Sequence, residues 1–530
     1  MLTPLPSSYK PPINCLIQAE IDAKMPHPDK KKIFVFCDGT GNEFAKTRGQ
    51  KNANSNVVKL YTTVRVTNKQ VAYYHPGVGT MGNPAIQNAV LRFWSKVKGL
   101  AFGAGFRDNV LDAYRYLMEI YNDGDEIYLF GFSRGSYTAR ALAGMLHGYG
   151  LLCRGNEGHI LYAWKMFCED VETSRTQLKK KRHERNDPAV PDAHTIKGNR
   201  AFAQTYSRDV TIRFMGLWDT VSSVGWIYKP VRLLDMARNP IVQVGRHAVS
   251  IDERRAFYRD NLWGDPYGIN DQDWPKVLRD QGIAQDLAQV WFPGAHSDIG
   301  GSYPQKEAGP ANQALKWMID ELKLNDAELC EERIEMVLGK KEIGLEADKI
   351  YSPAPDENHC IHGSLKGFWL VLQGFPQQYY DKDDGKVQWR VPYGTPRLIP
   401  DGSIIHGSAE RRLRSAATDK EPYRPKNLRL DQLQLLQVQP TGTTADLEGC
   451  FVYKRDPAPA EGSKNASRMI RLFFGWISFG IFMVLVVAAA WYVVSFFVLL
   501  ILTLMTHTPG LRRLFRWGHW RHWRHLRFSR

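Results

Sequence analysis

The chain has 530 residues, of which 43% are hydrophobic, 12% aromatic and 24% charged. This is globular composition, and it excludes a mainly disordered, collagen-like or disulfide-stapled protein. The net charge is +15, yet seven arginines and no acids lie between Arg512 and Arg530, so almost half of the basic excess belongs to one short tail.

At roughly 100–200 residues per domain, this length suits two to four domains or one large α/β domain carrying insertions. The seven cysteines are scattered without a C-x-x-C pair, which excludes a zinc ribbon or a thioredoxin-type motif. They read as unpaired thiols of a reducing compartment. Residues 1–31 hold six prolines and no apolar run of signal-peptide length, so they read as an irregular N-terminal arm. A folded body is expected over 32–450.

That body opens with an apolar strand, Lys32 to Cys37, ending at Asp38-Gly39. A second run, Val71 to Tyr74, ends at Pro76-Gly77. Apolar residues at Phe106, Val110, Ala113, Tyr114, Leu117 and Ile120 predict a helix over 105–121. A strand over Glu126–Phe130 follows, then a helix from about Ser136 to His147, then strands at Thr211–Trp218 and Gln289–Phe292. Strands alternating with helices predict an α/β fold with a mostly parallel sheet, helices on both faces and helical insertions. The insertions are placed at about 153–209, 226–286 and 305–400. Within the second, Arg246-His247-Ala-Val-Ser resembles helix sequence, which makes His247 a packing or capping residue.

Residues 451–467 read as a linker. The region 468–511 reads as a transmembrane segment, since no Asp, Glu, Lys or Arg occurs from Leu472 to Leu511. As one helix, Leu472 to Met505 would run about 51 Å at 1.5 Å per residue, against a hydrocarbon core of about 30 Å. It is therefore either one long span or a two-span hairpin. Arginines flank both ends, which places both ends and the catalytic domain in the cytosol and so favours the hairpin. Residues 512–530 interleave Trp517, Trp520 and Trp523 with arginines, a pattern suited to anionic headgroups rather than to nucleic acid.

The sharpest chemical motif is Gly131-Phe-Ser133-Arg-Gly135, a G-x-S-x-G between an apolar strand and a helix. Such a nucleophile elbow exposes its serine at a helix N-terminus, where backbone N–H groups stabilise a developing oxyanion. A serine hydroxyl needs a base, and the base needs an acid to orient it. The expected chain order is Ser, then Asp or Glu, then His. Ser133, Asp219 and His296 satisfy it, each following a separate strand. Asp298 competes for the orienting role, and His406 is a rival base. The Arg134 N–H is one expected oxyanion donor; Gly39 or Thr40, in the glycine-rich turn after the first strand, is the other. Asp38 is a secondary candidate beside them. No cofactor is needed, and no metal-ligand loop is recognisable.

Phe36-Cys-Asp-Gly-Thr-Gly-Asn42, Asn56-Val-Val-Lys-Leu-Tyr61, Tyr74-His-Pro-Gly-Val-Gly-Thr80 and Gly124 through Ser136 occur in this order. Gly216-Leu-Trp-Asp-Thr-Val221, Gly294-Ala-His-Ser-Asp-Ile-Gly-Gly301 and Ile405-His-Gly-Ser408 continue the series. Over about residues 32–415 the chain resembles the α/β-hydrolase catalytic domain of the type VI secretion phospholipase effectors. The resemblance implies a triad on Ser133, Asp219 and His296, and hydrolysis of phospholipid acyl esters. It also implies a secreted effector with a secretion-apparatus or immunity-protein partner. The apolar C-terminal region departs from that family pattern and suits a resident membrane enzyme instead. A non-lipid ester or thioester hydrolase anchored at a membrane, and a non-catalytic membrane interaction protein, are the alternatives.

Overall fold

The computed structural model describes residues 30–39, 53–77, 105–170, 200–221, 225–226, 229–230, 239–256, 258–263, 285–339, 359–367, 369–370, 373–380, 387–415, 422–437, 443–456, 477 and 480. Nearly all of the N-terminal arm and of the expected membrane region, and the whole basic tail, lie outside them. Among the described residues no helix is long and apolar enough to cross a membrane. The chain divides into two compact units, one of Met1–Leu370, Gln378–Gln388 and Gly394–Pro459, the other of Val371–Gln377, Trp389–Tyr393 and Ala460–Arg530. The first contains everything described below.

Nine strands form its main sheet: β1 (Lys32–Cys37), β2 (Gln70–His75), β3 (Glu126–Phe132), β4 (Ile212–Trp218), β5 (Val242–Ser250), β6 (Asp286–Phe292), β7 (Ile404–Ile405), β8 (Leu433–Leu435) and β9 (Phe451–Tyr453). Their order is β8-β9-β7-β6-β5-β4-β3-β1-β2. From β2 to β7 every neighbouring pair is parallel. Only β9, pairing with β7 and β8, runs antiparallel. The architecture is α/β with a mostly parallel sheet. Strand order reverses beside β1 and β3, and in open α/β sheets ligands bind at such a switch point, beyond the carboxyl ends of the strands.

Alternation along the central strands builds the two layers. Ile33, Val35 and Cys37 of β1 point to one face, with Ile127 and Leu129 of β3. There they meet α2 (Phe106–Ile120) and α3 (Arg134–Tyr149). The intervening Phe34, Phe36, Tyr128 and Phe130 form an aromatic ladder on the other face. Phe34 stacks on Tyr128 with centroids 4.5 Å apart, and Phe36 on Phe130 at 4.7 Å. Over that ladder lie α1 (Asn56–Thr63), α5 (Gly309–Lys323) and α6 (Glu331–Val337). Each buried aromatic ring contributes roughly 1.5–3 kcal/mol of transfer free energy, so both faces are held mainly by apolar burial.

Three expectations are corrected. The expected linker, 451–467, begins inside the sheet, because Phe451–Tyr453 form β9 and pair with β7 and β8. The stretch around His247 is strand β5, central in the sheet, not helix. Its buried polar residues interrupt the apolar pattern, and each is matched. Arg246 pairs with Glu321 and Asp286. The Thr220 N–H donates to His247 Nε2, and Nδ1–H donates to Gln289. The cysteines are not uniformly unpaired either: Cys37, Cys168, Cys330, Cys360 and Cys450 are free, whereas Cys153 is disulfide-bonded.

Candidate active site

Ser133 sits where β3 passes into α3, with φ 58° and ψ −121°. A side-chain-bearing residue at positive φ is strained by about 1–3 kcal/mol. The turn requires glycine on both sides. A Cβ at Gly131 would lie 2.5 Å from the Ser136 backbone, and one at Gly135 would lie 2.1 Å from the Cys37 carbonyl oxygen. The second contact also seats the head of α3 against the end of β1. The Ser133 N–H donates to the Trp218 carbonyl (3.0 Å), and the Ser136 hydroxyl to that of Gly131 (2.6 Å).

His296 opens a short helix, α4 (His296–Gly300), directly beyond β6. The Ser133 hydroxyl donates to His296 Nε2 over 2.7 Å, and His296 Nδ1–H donates to Asp219 Oδ2 over 2.5 Å. Asp219 follows β4, also at positive φ (38°). Five non-glycine residues in the described chain have positive φ, and two of them are Ser133 and Asp219. The His296 ring is packed by Phe132 and by Tyr258, each with centroids 4.7 Å away. Its backbone N–H donates to Glu253, which pairs with Arg255.

Asp219 is fully buried. Burial alone would push its carboxyl up, but the charge of Arg397 and the hydrogen bond from His296 outweigh it, and the group is held well below the ordinary carboxylate range. His296 moves down from the ordinary value of 6.5, because burial penalises the imidazolium more than the Asp219 carboxylate favours it. A neutral imidazole beside a serine hydroxyl is the form able to accept a proton.

Arg397 is the site residue that sequence reasoning missed. Its Nη1 donates to Asp219 Oδ1 (2.5 Å) and its Nη2 to Oδ2 (3.0 Å), while Nη1 also donates to the Ser250 hydroxyl (2.7 Å). The Ser250 N–H donates to Asp219 as well (2.9 Å). Arg397 lies in an irregular loop 178 residues beyond Asp219, and no periodicity or motif marks it.

The other expected candidates fall elsewhere. Asp298 does not bond to His296; its carboxylate accepts from the Ala295 N–H and from His362 Nδ1–H (2.7 Å). His406 caps α7 (Gly407–Arg414), where its Nδ1 accepts from the Ser408 N–H, and its ring stacks on Phe292. The Asp38 carboxylate accepts from the Ser55 hydroxyl and the Tyr74 hydroxyl, both at 2.8 Å. The Gly39 N–H donates to that same carboxylate (2.6 Å), so it is engaged rather than turned toward Ser133. Thr40 lies outside the described residues. Arg134 is the first residue of α3, so its N–H belongs to the helix's opening turn rather than to its internal ladder. Among the described residues, no group of three or more His, Cys, Asp or Glu side chains is disposed to hold a metal ion.

The profile of the family described as "T6SS, Phospholipase effector Tle1-like, catalytic domain" matches residues 31–321. The chain belongs to this family. It is a phospholipase family, and its matched region includes β1 to β6 and ends within α5. Arg397 lies beyond the Tle1-like match. An uncharacterized protein of Saccharomyces cerevisiae, YEL023C, is 33% identical over 243 residues. That match covers 44% of this chain but only 33% of the yeast protein, so the chain spans about a third of that relative's length. Among solved structures, an uncharacterized protein from Pseudomonas aeruginosa matches with a TM-score of 0.31 at 18% identity, over 61% of this chain and 50% of that one. The Tle1 effector bound to the VgrG spike from the Type 6 secretion system matches with a TM-score of 0.26 at 18% identity, over 52% and 51% of the two chains.

Proposed function

We propose that this protein is a serine esterase hydrolysing acyl esters of membrane phospholipids, through an α/β-hydrolase-like domain that runs from residue 32 through β9 to residue 453. The observation that carries the reading is the unbroken hydrogen-bond relay from Ser133 Oγ through His296 to Asp219, at the carboxyl ends of three parallel strands. Ser133 attacks the ester carbonyl while His296 Nε2 takes the hydroxyl proton, and Asp219 orients the ring and stabilises the imidazolium. N–H groups at the head of α3, that of Arg134 first, receive the oxyanion. His296 then returns the proton to the leaving alcohol, and water repeats the sequence on the acyl-enzyme.

Membrane phospholipid as substrate is supported by the family and by the composition beyond the catalytic domain. In this proposal the residues after β9, 454–467, link the domain to a bilayer-inserted region, 468–511, and the arginine- and tryptophan-rich residues 512–530 rest on anionic headgroups. An effector role with a secretion-apparatus or immunity-protein partner rests on the family's description alone.

The test is hydrolysis by full-length protein of phosphatidylethanolamine vesicles and of a short-chain p-nitrophenyl ester, each beside Ser133→Ala. Fatty acid released from vesicles by the parent and not by the variant is the expected result. Short-ester hydrolysis alone redirects the substrate to a soluble ester. Equal rates for parent and Ser133→Ala overturn the serine mechanism.

A further inference from the structure

We propose that Arg397 is a positioning residue of the catalytic site: its guanidinium fork fixes the Asp219 carboxylate and supplies the positive charge against which the Asp219–His296 couple works. The proposal deepens the serine-esterase reading and rests on it. It also carries the working site past the Tle1-like match at residue 321, into the C-terminal part of the domain.

The geometry is that of a two-pronged charge-assisted pair. Both Asp219 oxygens are occupied by separate guanidinium nitrogens of one side chain, at 2.5 and 3.0 Å. Such a fork constrains the carboxylate plane as well as its position. One of those oxygens, Oδ2, also accepts from His296, so the arginine sets the direction in which the imidazole is held. Arg397 is itself held: Nη2 donates to the Tyr258 carbonyl (2.6 Å), Nη1 to the Ser250 hydroxyl, and the Arg397 carbonyl accepts from Asn427 (3.1 Å). Tyr258, whose backbone receives Arg397, puts its ring edge-on against His296. The arginine thus supports the base from two sides.

The charge arithmetic follows from the same contacts. A wholly buried carboxylate with only backbone donors would leave a net negative charge beside the imidazole. Arg397 cancels that charge, so the couple holds its proton less tightly. The groups that face it are few. Arg397 is faced by Asp219, Asp260 and Glu253; Asp219 by His296, Arg397 and His247; and His296 by Asp219, Glu253 and Arg255. Glu253 and Arg255 neutralise each other, which leaves Arg397 as the partner of Asp219. Replacing Arg397 by a neutral residue leaves the buried Asp219–His296 couple to take up a proton at higher pH, whichever member holds it.

The deciding experiment uses full-length protein in detergent micelles with a short-chain p-nitrophenyl ester. It compares pH profiles of kcat/KM for the parent, Arg397→Gln, Arg397→Lys and the exposed control Arg429→Gln. Histidine-labelled NMR titration of His296 is run alongside. Arg397→Gln is expected to lose about 10²-fold in kcat/KM at neutral pH, with the acid limb and the His296 titration both moved up by about one unit or more. Arg397→Lys, keeping the charge without the fork, is expected to keep the limb while kcat falls with KM unchanged. An unmoved limb and an unmoved His296 titration in folded Arg397→Gln overturn the proposal, even if activity falls. If Arg397→Gln does not fold, Arg397→Lys decides: parental kcat overturns the positioning role, and a lowered kcat at parental KM supports it. Hydrolysis persisting in Ser133→Ala overturns the serine reading separately. The NMR titration then still judges what Arg397 does to His296.

Discussion

Two histidine–aspartate pairs meet on one short helix, α4, and the pKa values of their histidines are shifted in opposite directions. His296 lies against Asp219, packed between Phe132 and Tyr258, with only its Nε2 turned to a hydroxyl. His362 lies against Asp298, but its other nitrogen meets Glu307 Oε2 at 2.9 Å, and its ring stacks on Tyr303. Both ring nitrogens of His362 face carboxylates, and only an imidazolium donates to both. Hydrogen bonding to Asp298, with Glu307 adding to it, outweighs burial and raises its pKa, whereas burial dominates at His296 and lowers it. A neighbouring aspartate therefore does not by itself set which way a histidine's pKa moves. Burial, the second nitrogen's partner and the charges around the pair set that direction.

Removing each histidine tests that difference most severely. His296→Ala is expected to lower ester hydrolysis on the order of 10⁴–10⁶-fold. His362→Ala is expected to cost less than about tenfold, the equivalent of one weakened loop anchor. Steady-state rates of the two variants decide it, and losses of similar size would dissolve the distinction.

The pH dependence sharpens it. With His296 lowered from 6.5, the acid limb of kcat/KM is expected below pH 6.5, and His362→Gln is expected to leave that limb in place. A limb above 6.5, or one that moves with His362, would assign the titration to the wrong pair.

The smallest effect is on stability. The raised pKa of His362 contributes stability that is fully present below its unfolded value of 6.5 and is lost as pH rises through the folded one. His362→Gln is therefore expected to destabilise more at pH 5.5 than at pH 9. The difference should be about 1 kcal/mol or less, because the pair is partly open to solvent. Urea unfolding at the two pH values measures it.

Much of this is legible in the sequence, and the limits have physical causes. Strands β1, β3, β4 and β6 are short apolar runs, and the elbow carries its own glycines, so local pattern suffices there. Strand β5 reads as helix because Arg246 and His247 are buried on ion-pair and hydrogen-bond partners far away in the chain. The choice between Asp219 and Asp298 stays open in sequence, because it depends on how α4 turns His296 and Asp298 relative to the end of β4. Arg397 is invisible for the same reason as Arg246: its meaning lies wholly in its partner. Its loop, Gly394-Thr-Pro-Arg-Leu, has the composition of any surface turn. The apolar run at 472–505 is legible by composition alone and lies almost wholly outside the described residues.

The 178-residue separation of Asp219 and Arg397 also sets a clock. A ribosome adding about 5–20 residues per second takes roughly 9–36 s to travel from the acid to its cation. During that interval the nascent chain already holds the elbow, and later the histidine, while the carboxylate has no guanidinium to hold it. The residue made latest is therefore the one whose guanidinium pairs with the buried Asp219 carboxylate. A chain released early, anywhere between α4 and Arg397, would carry a serine, a histidine and an aspartate without the guanidinium that pairs with the carboxylate.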